Sequence, residues 1–151
     1  RERIPDIHIR TTLITGFPGE TKEDFEELYE FVQESRFERL GVFAYSREEG
    51  TEAAKMKPQV RQDIKEKRRD SIMLLQNRIS LEKNREKIGK TLEVLVEGQD
   101  EDGSYFGRSS YDAPEIDNAV LFTSSKELSP GDFVDVRITD AFDYDLVGEA
   151  L

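Results

Sequence analysis

The chain has no cysteine and no tryptophan among its 151 residues, and His8 is its one histidine. Without cysteine it can form no disulfide bond and no thiolate metal site. No apolar run approaches the roughly 20 residues that span a bilayer, and the charged start Arg1–Pro5 lacks an apolar targeting core. These absences predict a protein that makes no contact with a membrane and works in the cytoplasm.

Acidic residues, in contrast, are abundant, and they are unevenly placed. The net charge of the chain is -11, with -6 on residues 1–54, +6 on residues 55–85 and -11 on residues 86–151. The last segment holds 5 basic and 16 acidic residues, which disfavours nucleic-acid binding there, because phosphate contacts need Lys and Arg. A strongly acidic segment instead favours a basic protein partner.

The segment Ile9–Thr21 has the order strand, Gly/Pro turn, helix start. Gly16 and Gly19 enclose Phe-Pro and permit backbone angles that other residues disfavour. Thr21 is placed to cap a helix, with Asp24 three residues later. In parallel α/β folds the loop that leaves the carboxyl end of a strand is where ligands bind, so this turn is a candidate ligand loop.

A second apolar run, Glu38–Tyr45, predicts another strand and completes a strand–helix–strand unit over residues 7–45. Such a crossover implies parallel strands. Two strands whose consecutive positions are apolar need neighbours on both faces. We therefore expect residues 1–58 to be the last elements of a larger α/β domain whose earlier part is missing from this chain.

Residues 59–88 carry apolar side chains at roughly helical spacing and predict a linker helix. Its basic residues, Lys65, Lys67, Arg68 and Arg69, have two interpretations. One is a helix that packs one face on a neighbour and leaves its charges in solvent; the other is a basic face that contacts nucleic acid.

Residues 89–151 change to alternating apolar and polar positions in five short runs separated by turn residues. This pattern predicts a small five-stranded antiparallel barrel, resembling the OB fold.

Four residues of the first segment are candidates for a binding site. Arg10 lies within an apolar strand and needs either a structural carboxylate or an anionic ligand. Phe43 and Tyr45 share a strand face and are suited either to core packing or to stacking on a planar ligand. Glu20 is either an acid–base group or a carboxylate at a helix start.

Several motifs resemble one family. Thr11–Thr21, Leu40–Ser46 and Glu49–Ala54 are similar to the late barrel strands of radical S-adenosylmethionine methylthiotransferases. Gln76–Ser80 and Ile88–Lys90 resemble the link into the terminal TRAM domain of that family, a five-stranded antiparallel barrel. The resemblance implies a partial TIM-like radical SAM barrel, a linker helix and a TRAM domain.

Within the family, Gly107–Asn118 and Tyr144–Glu149 resemble the RimO branch, which methylthiolates the β-carbon of an aspartate in small-subunit ribosomal protein twelve. The sister MiaB branch modifies an adenosine of transfer RNA. The acidic carboxyl-terminal segment favours a basic ribosomal protein as substrate. Two alternatives stay open: a MiaB-like transfer RNA enzyme, and a module without chemistry that binds a ribosomal protein.

The resemblance implies S-adenosylmethionine and two [4Fe-4S] clusters as cofactors, held by cysteines that this chain lacks. We therefore expect a carboxyl-terminal fragment that is inactive alone and contains neither catalytic residues nor metal ligands. Ile14 and Gly16 match the strand that the family places against the adenine of the cofactor. Phe43 and Tyr45 match the next strand, and Arg10 is a further candidate.

Overall fold

The computed structural model describes residues 2–114 and 116–151. Arg1, in the predicted barrel segment, and Glu115, within the Gly107–Asn118 motif, lie outside the described residues. The chain divides into two compact units, residues 1–79 and 80–151. Its elements are β1 Arg10–Thr15, α1 Lys22–Ser35, β2 Arg39–Ala44, α2 Glu52–Lys55, α3 Gln62–Arg85, β3 Thr91–Gln99, β4 Tyr105–Ser109, β5 Val120–Thr123, β6 Phe133–Ala141 and β7 Leu146–Ala150.

The first unit contains the predicted strand–helix–strand arrangement. Strands β1 and β2 are parallel neighbours in a two-stranded sheet, and α1 is the crossover between them. Helix α1 begins as expected, because the Thr21 hydroxyl accepts a hydrogen bond from the Asp24 N–H at 3.1 Å and the Asp24 carboxylate accepts one from the Thr21 N–H at 2.8 Å. This reciprocal capping box satisfies two of the amide groups that a helix start leaves unpaired.

The core of this unit lies on one face of the sheet. Its buried side chains come from both helices and from β2: Val32, Val42, Ile72, Leu75 and Ile79. Helix α3 extends from residue 62 to residue 85 and so crosses the boundary between the two units in sequence. The short helix α2 occupies part of the stretch after β2. The predicted division into residues 1–58, 59–88 and 89–151 stays a prediction.

The second unit is a closed barrel of five strands in the order β3, β4, β5, β7, β6. The alternation read from the sequence places every second side chain inside, as in β3, where Val94 and Val96 are buried. The interior is filled by Val94, Val96, Tyr105, Val120, Phe122, Val136, Ile138, Ala141 and Leu146. The prediction of a five-stranded barrel is confirmed.

The prediction that this barrel is antiparallel throughout is wrong. Strands β5 and β7 are parallel, with Val120 opposite Leu146 and Phe122 opposite Gly148, while the other four pairings are antiparallel. The physical reason is parity. Strand direction must alternate around a fully antiparallel ring, which an odd number of strands cannot do once the ring closes. One parallel pair is therefore the minimum in a closed barrel of five strands.

Two glycines allow the barrel strands to approach closely. A Cβ atom at Gly148 would lie 2.5 Å from both the backbone oxygen of Arg137 and Cγ1 of Val136. At Gly107 it would overlap the backbone oxygen of Leu95 and stand 2.9 Å from Cγ1 of Val94. Because the obstructing atoms include backbone, these positions have no room for a larger residue. Both glycines belong to the motifs that resemble the methylthiotransferase family.

No helix among the described residues is long and apolar enough to cross a membrane.

Candidate functional site

The turn after β1, residues Gly16–Glu20, is held in part by backbone hydrogen bonds. The Glu20 N–H donates to the Phe17 oxygen at 2.9 Å, and the Gly19 N–H donates to the Pro58 oxygen at 2.9 Å. Gly16 has φ +73° and Gly19 has φ +89°, in the left-handed region that glycine adopts without steric cost. The two glycines flanking Phe-Pro are thus required by the conformation of the turn.

The sheet face opposite the core carries two neighbouring apolar side chains. Ile14 and Phe43 are register partners on β1 and β2, and they are 53% and 64% exposed. Partners in adjacent parallel strands point to the same face, so the two side chains lie side by side. This face suits a flat apolar ligand, because it offers aliphatic and aromatic contact area together.

The buried side chain of Lys65 fills the space next to Gly16. A Cβ atom at Gly16 would overlap the Lys65 side chain. The Lys65 ammonium group donates to the Tyr45 backbone oxygen at 3.0 Å and lies 4.7 Å from the centroid of the Tyr45 ring. The Thr15 hydroxyl donates to the Lys65 backbone oxygen at 3.1 Å. The buried charge of Lys65 is thus stabilised by the backbone carbonyl and the ring face of Tyr45.

A second contact from α3 holds the other end of the turn. Arg68 forms an ion pair with Glu20, and the two side chains are only 12% and 10% exposed. The same carboxylate accepts a hydrogen bond from the Gly16 N–H at 2.9 Å, and Arg68 also donates to the Glu20 backbone oxygen at 3.2 Å. The Arg68 guanidinium lies 5.4 Å from the centroid of the Phe25 ring. Glu20 therefore closes the turn on itself and ties it to α3.

The predicted site residues are only partly brought together. Tyr45 is buried, with its ring in edge contact with Phe17 at 5.4 Å between centroids, so it is not exposed beside Phe43. Its hydroxyl is buried without a hydrogen-bond partner among the described residues. Arg10 is exposed at the start of β1, six residues before Gly16, which is about 20 Å along a strand. The cofactor roles of all five residues stay predictions.

Lys65 and Arg68 were not predicted as part of this site. The sequence shows them only as basic residues of a linker helix, with either solvent or nucleic acid as their expected surroundings. A signal was present: residues 65, 68, 72, 75 and 79 repeat at intervals of three and four, and the last three of them form the core stripe of α3. The two basic residues continue that inward stripe, so they face the turn.

The described residues can be compared with the groups that the family resemblance implies. The apolar face of Ile14 and Phe43 fits an adenine ring, because both side chains are exposed and adjacent. An iron–sulfur cluster does not fit this chain, which has no cysteine and, among its described residues, no group of three His, Cys, Asp or Glu side chains able to hold a metal ion.

Comparison with known proteins first identifies the class of the second unit. Residues 88–151 match the family model described as TRAM domain. The five-strand barrel occupies this range.

The chain as a whole is similar to curated proteins named ribosomal protein uS12 methylthiotransferase RimO. It is 59% identical to the protein of Caldanaerobacter subterraneus subsp. tengcongensis over 97% of this chain and 33% of that protein. It is 52% identical to the protein of Clostridioides difficile over 100% of this chain and 34% of that protein. The matches lie in the carboxyl-terminal part of these proteins, so the predicted resemblance to RimO-type methylthiotransferases is confirmed. The chain spans about a third of the length of the curated relatives it matches.

Proposed function

We propose that this chain acts as the carboxyl-terminal part of a cytoplasmic radical S-adenosylmethionine methylthiotransferase whose substrate is an aspartate of ribosomal protein uS12. The observation that carries the proposal is the identity of 59% over nearly the whole chain to a protein named for that reaction. The strand–helix–strand unit is then the last part of a TIM-like barrel, and the TRAM domain holds the substrate.

In this proposal the face of Ile14 and Phe43 forms part of the cofactor wall. The adenine of S-adenosylmethionine lies against the two side chains, where their exposed area excludes water from the ring. The turn Gly16–Glu20 keeps the carboxyl end of β1 in place, since Lys65 and Arg68 fix it from α3. When bound, S-adenosylmethionine supplies the radical and the methyl group of the reaction.

The clusters belong to the part of the protein that this chain does not contain, because no residue here can supply a thiolate. We therefore expect the 151-residue chain alone to be without methylthiotransferase activity. The residues of this chain bind and orient S-adenosylmethionine and exclude water from its adenine ring; they do not ligate iron.

The acidic TRAM domain supports a basic protein as the docked substrate. With 16 acidic and 5 basic residues over residues 86–151, it repels phosphate and attracts Lys and Arg.

The transfer RNA alternative has less support. Of its four proposed contact residues, Lys65 is buried and Arg68 is paired with a largely buried carboxylate, so neither is available to a phosphate group.

The test uses the full-length protein that contains this chain, with its clusters reconstituted. Ile14→Asp places a charge on the proposed adenine face, and Leu74→Asp changes another exposed apolar residue, on α3. We expect Ile14→Asp to weaken S-adenosylmethionine binding at least about tenfold and Leu74→Asp to change it less than about twofold. Mass spectrometry of uS12 then reports methylthiolation. If Ile14→Asp leaves the affinity for S-adenosylmethionine unchanged, the proposed adenine face is wrong. If the unsubstituted enzyme leaves uS12 unmodified, the proposed reaction is wrong.

A further inference from the structure

Two loops at one end of the barrel are joined by hydrogen bonds. The loop from β4 to β5 covers residues 110–119, and the loop from β6 to β7 covers residues 142–145. The Asp145 carboxylate accepts a hydrogen bond from the Ala119 N–H at 3.0 Å, and the Ala119 oxygen accepts one from the Leu146 N–H at 3.1 Å. The two loops thus form one continuous surface, which we call the loop surface.

The β6–β7 loop is held in a defined conformation by a buried amide. The Asn84 side-chain nitrogen donates to the Phe142 oxygen at 3.0 Å and lies 3.5 Å from the oxygens of Asp143 and Tyr144. The Phe142 N–H donates to the Asp145 oxygen at 2.8 Å, which closes the loop. Because these bonds use the backbone, Phe142 and Asp143 have exposed side chains on a preorganised support.

The loop surface combines exposed apolar groups with negative charge. Phe142, Tyr144 and Ile116 are 56%, 49% and 75% exposed. The described residues 110–114, 116–118 and 140–145 together contain five acidic residues and no Lys or Arg. Large apolar side chains exposed together and rimmed by polar groups are typical of a binding surface, and aromatic rings beside carboxylates favour a cation.

The position in the fold points the same way. The strand order, with its one parallel pair, is that of an OB-like barrel in which β3 to β7 are the five strands. In OB folds the loop between the fourth and fifth strands contacts the ligand. Here that loop is Phe142–Asp145, whose composition repels a nucleic-acid backbone and attracts a basic peptide.

We propose that the loop surface is where an Arg- and Lys-rich, extended segment of the protein substrate docks. Guanidinium groups stack on Phe142 and Tyr144 while the exposed Asp143 carboxylate pairs with the same or a neighbouring cation. This inference deepens the proposed function and rests on it for the identity of the partner. It adds the surface and the recognition chemistry, which the barrel fold alone does not specify.

The test measures binding of the unmodified 151-residue chain to two probes, purified uS12 and an oligoarginine peptide, by fluorescence anisotropy at two salt concentrations. The variant Phe142→Ala/Asp143→Asn removes one ring and one charge from the loop surface. Its matched control, Phe133→Ala/Asp135→Asn, removes the same groups from exposed positions of β6. Thermal melting confirms that both variants are folded.

We expect the loop variant to weaken uS12 binding about tenfold or more and the control to change it less than about twofold. Equal weakening by both variants would show attraction by net charge alone and would overturn the surface. If uS12 binds tightly and neither variant weakens its binding, the loop surface is overturned, whereas uS12 is kept as the proposed substrate. Binding of oligoarginine with the expected variant pattern, but not of uS12, supports the surface and contradicts the proposed substrate. If neither probe binds, or if a stem-loop RNA competes for the same loop, the inference is wrong.

Discussion

The ammonium nitrogen of Lys65 lies 3.0 Å from the backbone oxygen of Tyr45, so a charge on α3 is bound to the residue that follows β2. The same side chain occupies the space beside Gly16. One buried lysine therefore contacts the carboxyl ends of both strands of the sheet.

Substituting Lys65 by Met should destabilise the first unit. The aliphatic stem is retained, but the Tyr45 oxygen loses its donor in a buried position, which costs about 1–3 kcal/mol in unfolding free energy. Urea denaturation of the variant checks this value. Lys67→Met, at an exposed position of the same helix, is the control, and an equal loss there would contradict the role assigned to Lys65.

Breaking the pair of Glu20 and Arg68 should have a larger effect. Glu20→Gln leaves the Arg68 cation largely buried without its counter-charge, at a cost of about 3 kcal/mol. Asp63→Asn removes the partner of Arg61 in a pair that is mostly exposed, and should cost less than about 1 kcal/mol. The two unfolding free energies, measured in the same buffer, should differ by at least about 2 kcal/mol; similar values would show that the turn is not held by this pair.

Gly148→Ala should destabilise the barrel, because the new methyl group meets the backbone oxygen of Arg137 as well as Cγ1 of the fully buried Val136. Relieving that overlap requires β6 and β7 to separate locally, which we expect to cost about 1–3 kcal/mol. Gly41→Ala is the matched control, since the nearest atom to its added methyl is 3.9 Å away. Thermal unfolding of both variants checks the difference. A stable Gly148→Ala chain would mean that the strands adjust freely.

The capping box predicts a pH dependence at the start of α1. The hydrogen bond from the Thr21 N–H, followed by the one with the Thr21 hydroxyl, lowers the pKa of Asp24 below its ordinary value of 3.8. A lowered folded-state pKa means that the stabilisation is complete above pH 3.8 and is lost as the pH falls through the lower, folded-state value.

Carboxyl chemical shifts followed by NMR titration should give an Asp24 midpoint below 3.8. In Thr21→Ala, which keeps the backbone donor and removes the hydroxyl, the midpoint should rise but stay below that value. A midpoint at the ordinary value in the unsubstituted chain would contradict the cap.

Local pattern was enough to predict the capped helix α1, the parallel unit and the five barrel strands, because each follows from period, turn residues and capping chemistry within a short window. It could not predict the contacts of Lys65 and Arg68 with the turn, which join residues about 50 positions apart in sequence. Charge patterning assigns such residues to solvent, whereas tertiary packing decided their position. The parallel pairing of β5 and β7 was missed for a related reason: it depends on closure of the whole ring and on no single strand.

Ring closure also orders the folding of the barrel. Strand β7 is the neighbour of both β5 and β6, and until it is in place the other four strands form an open sheet with two unpaired edges. During synthesis, β7 is the last strand of the ring to leave the ribosome. The barrel therefore cannot close before residues 146–150 are free, and a nascent chain stalled earlier would present exposed strand edges to its neighbours on the polysome.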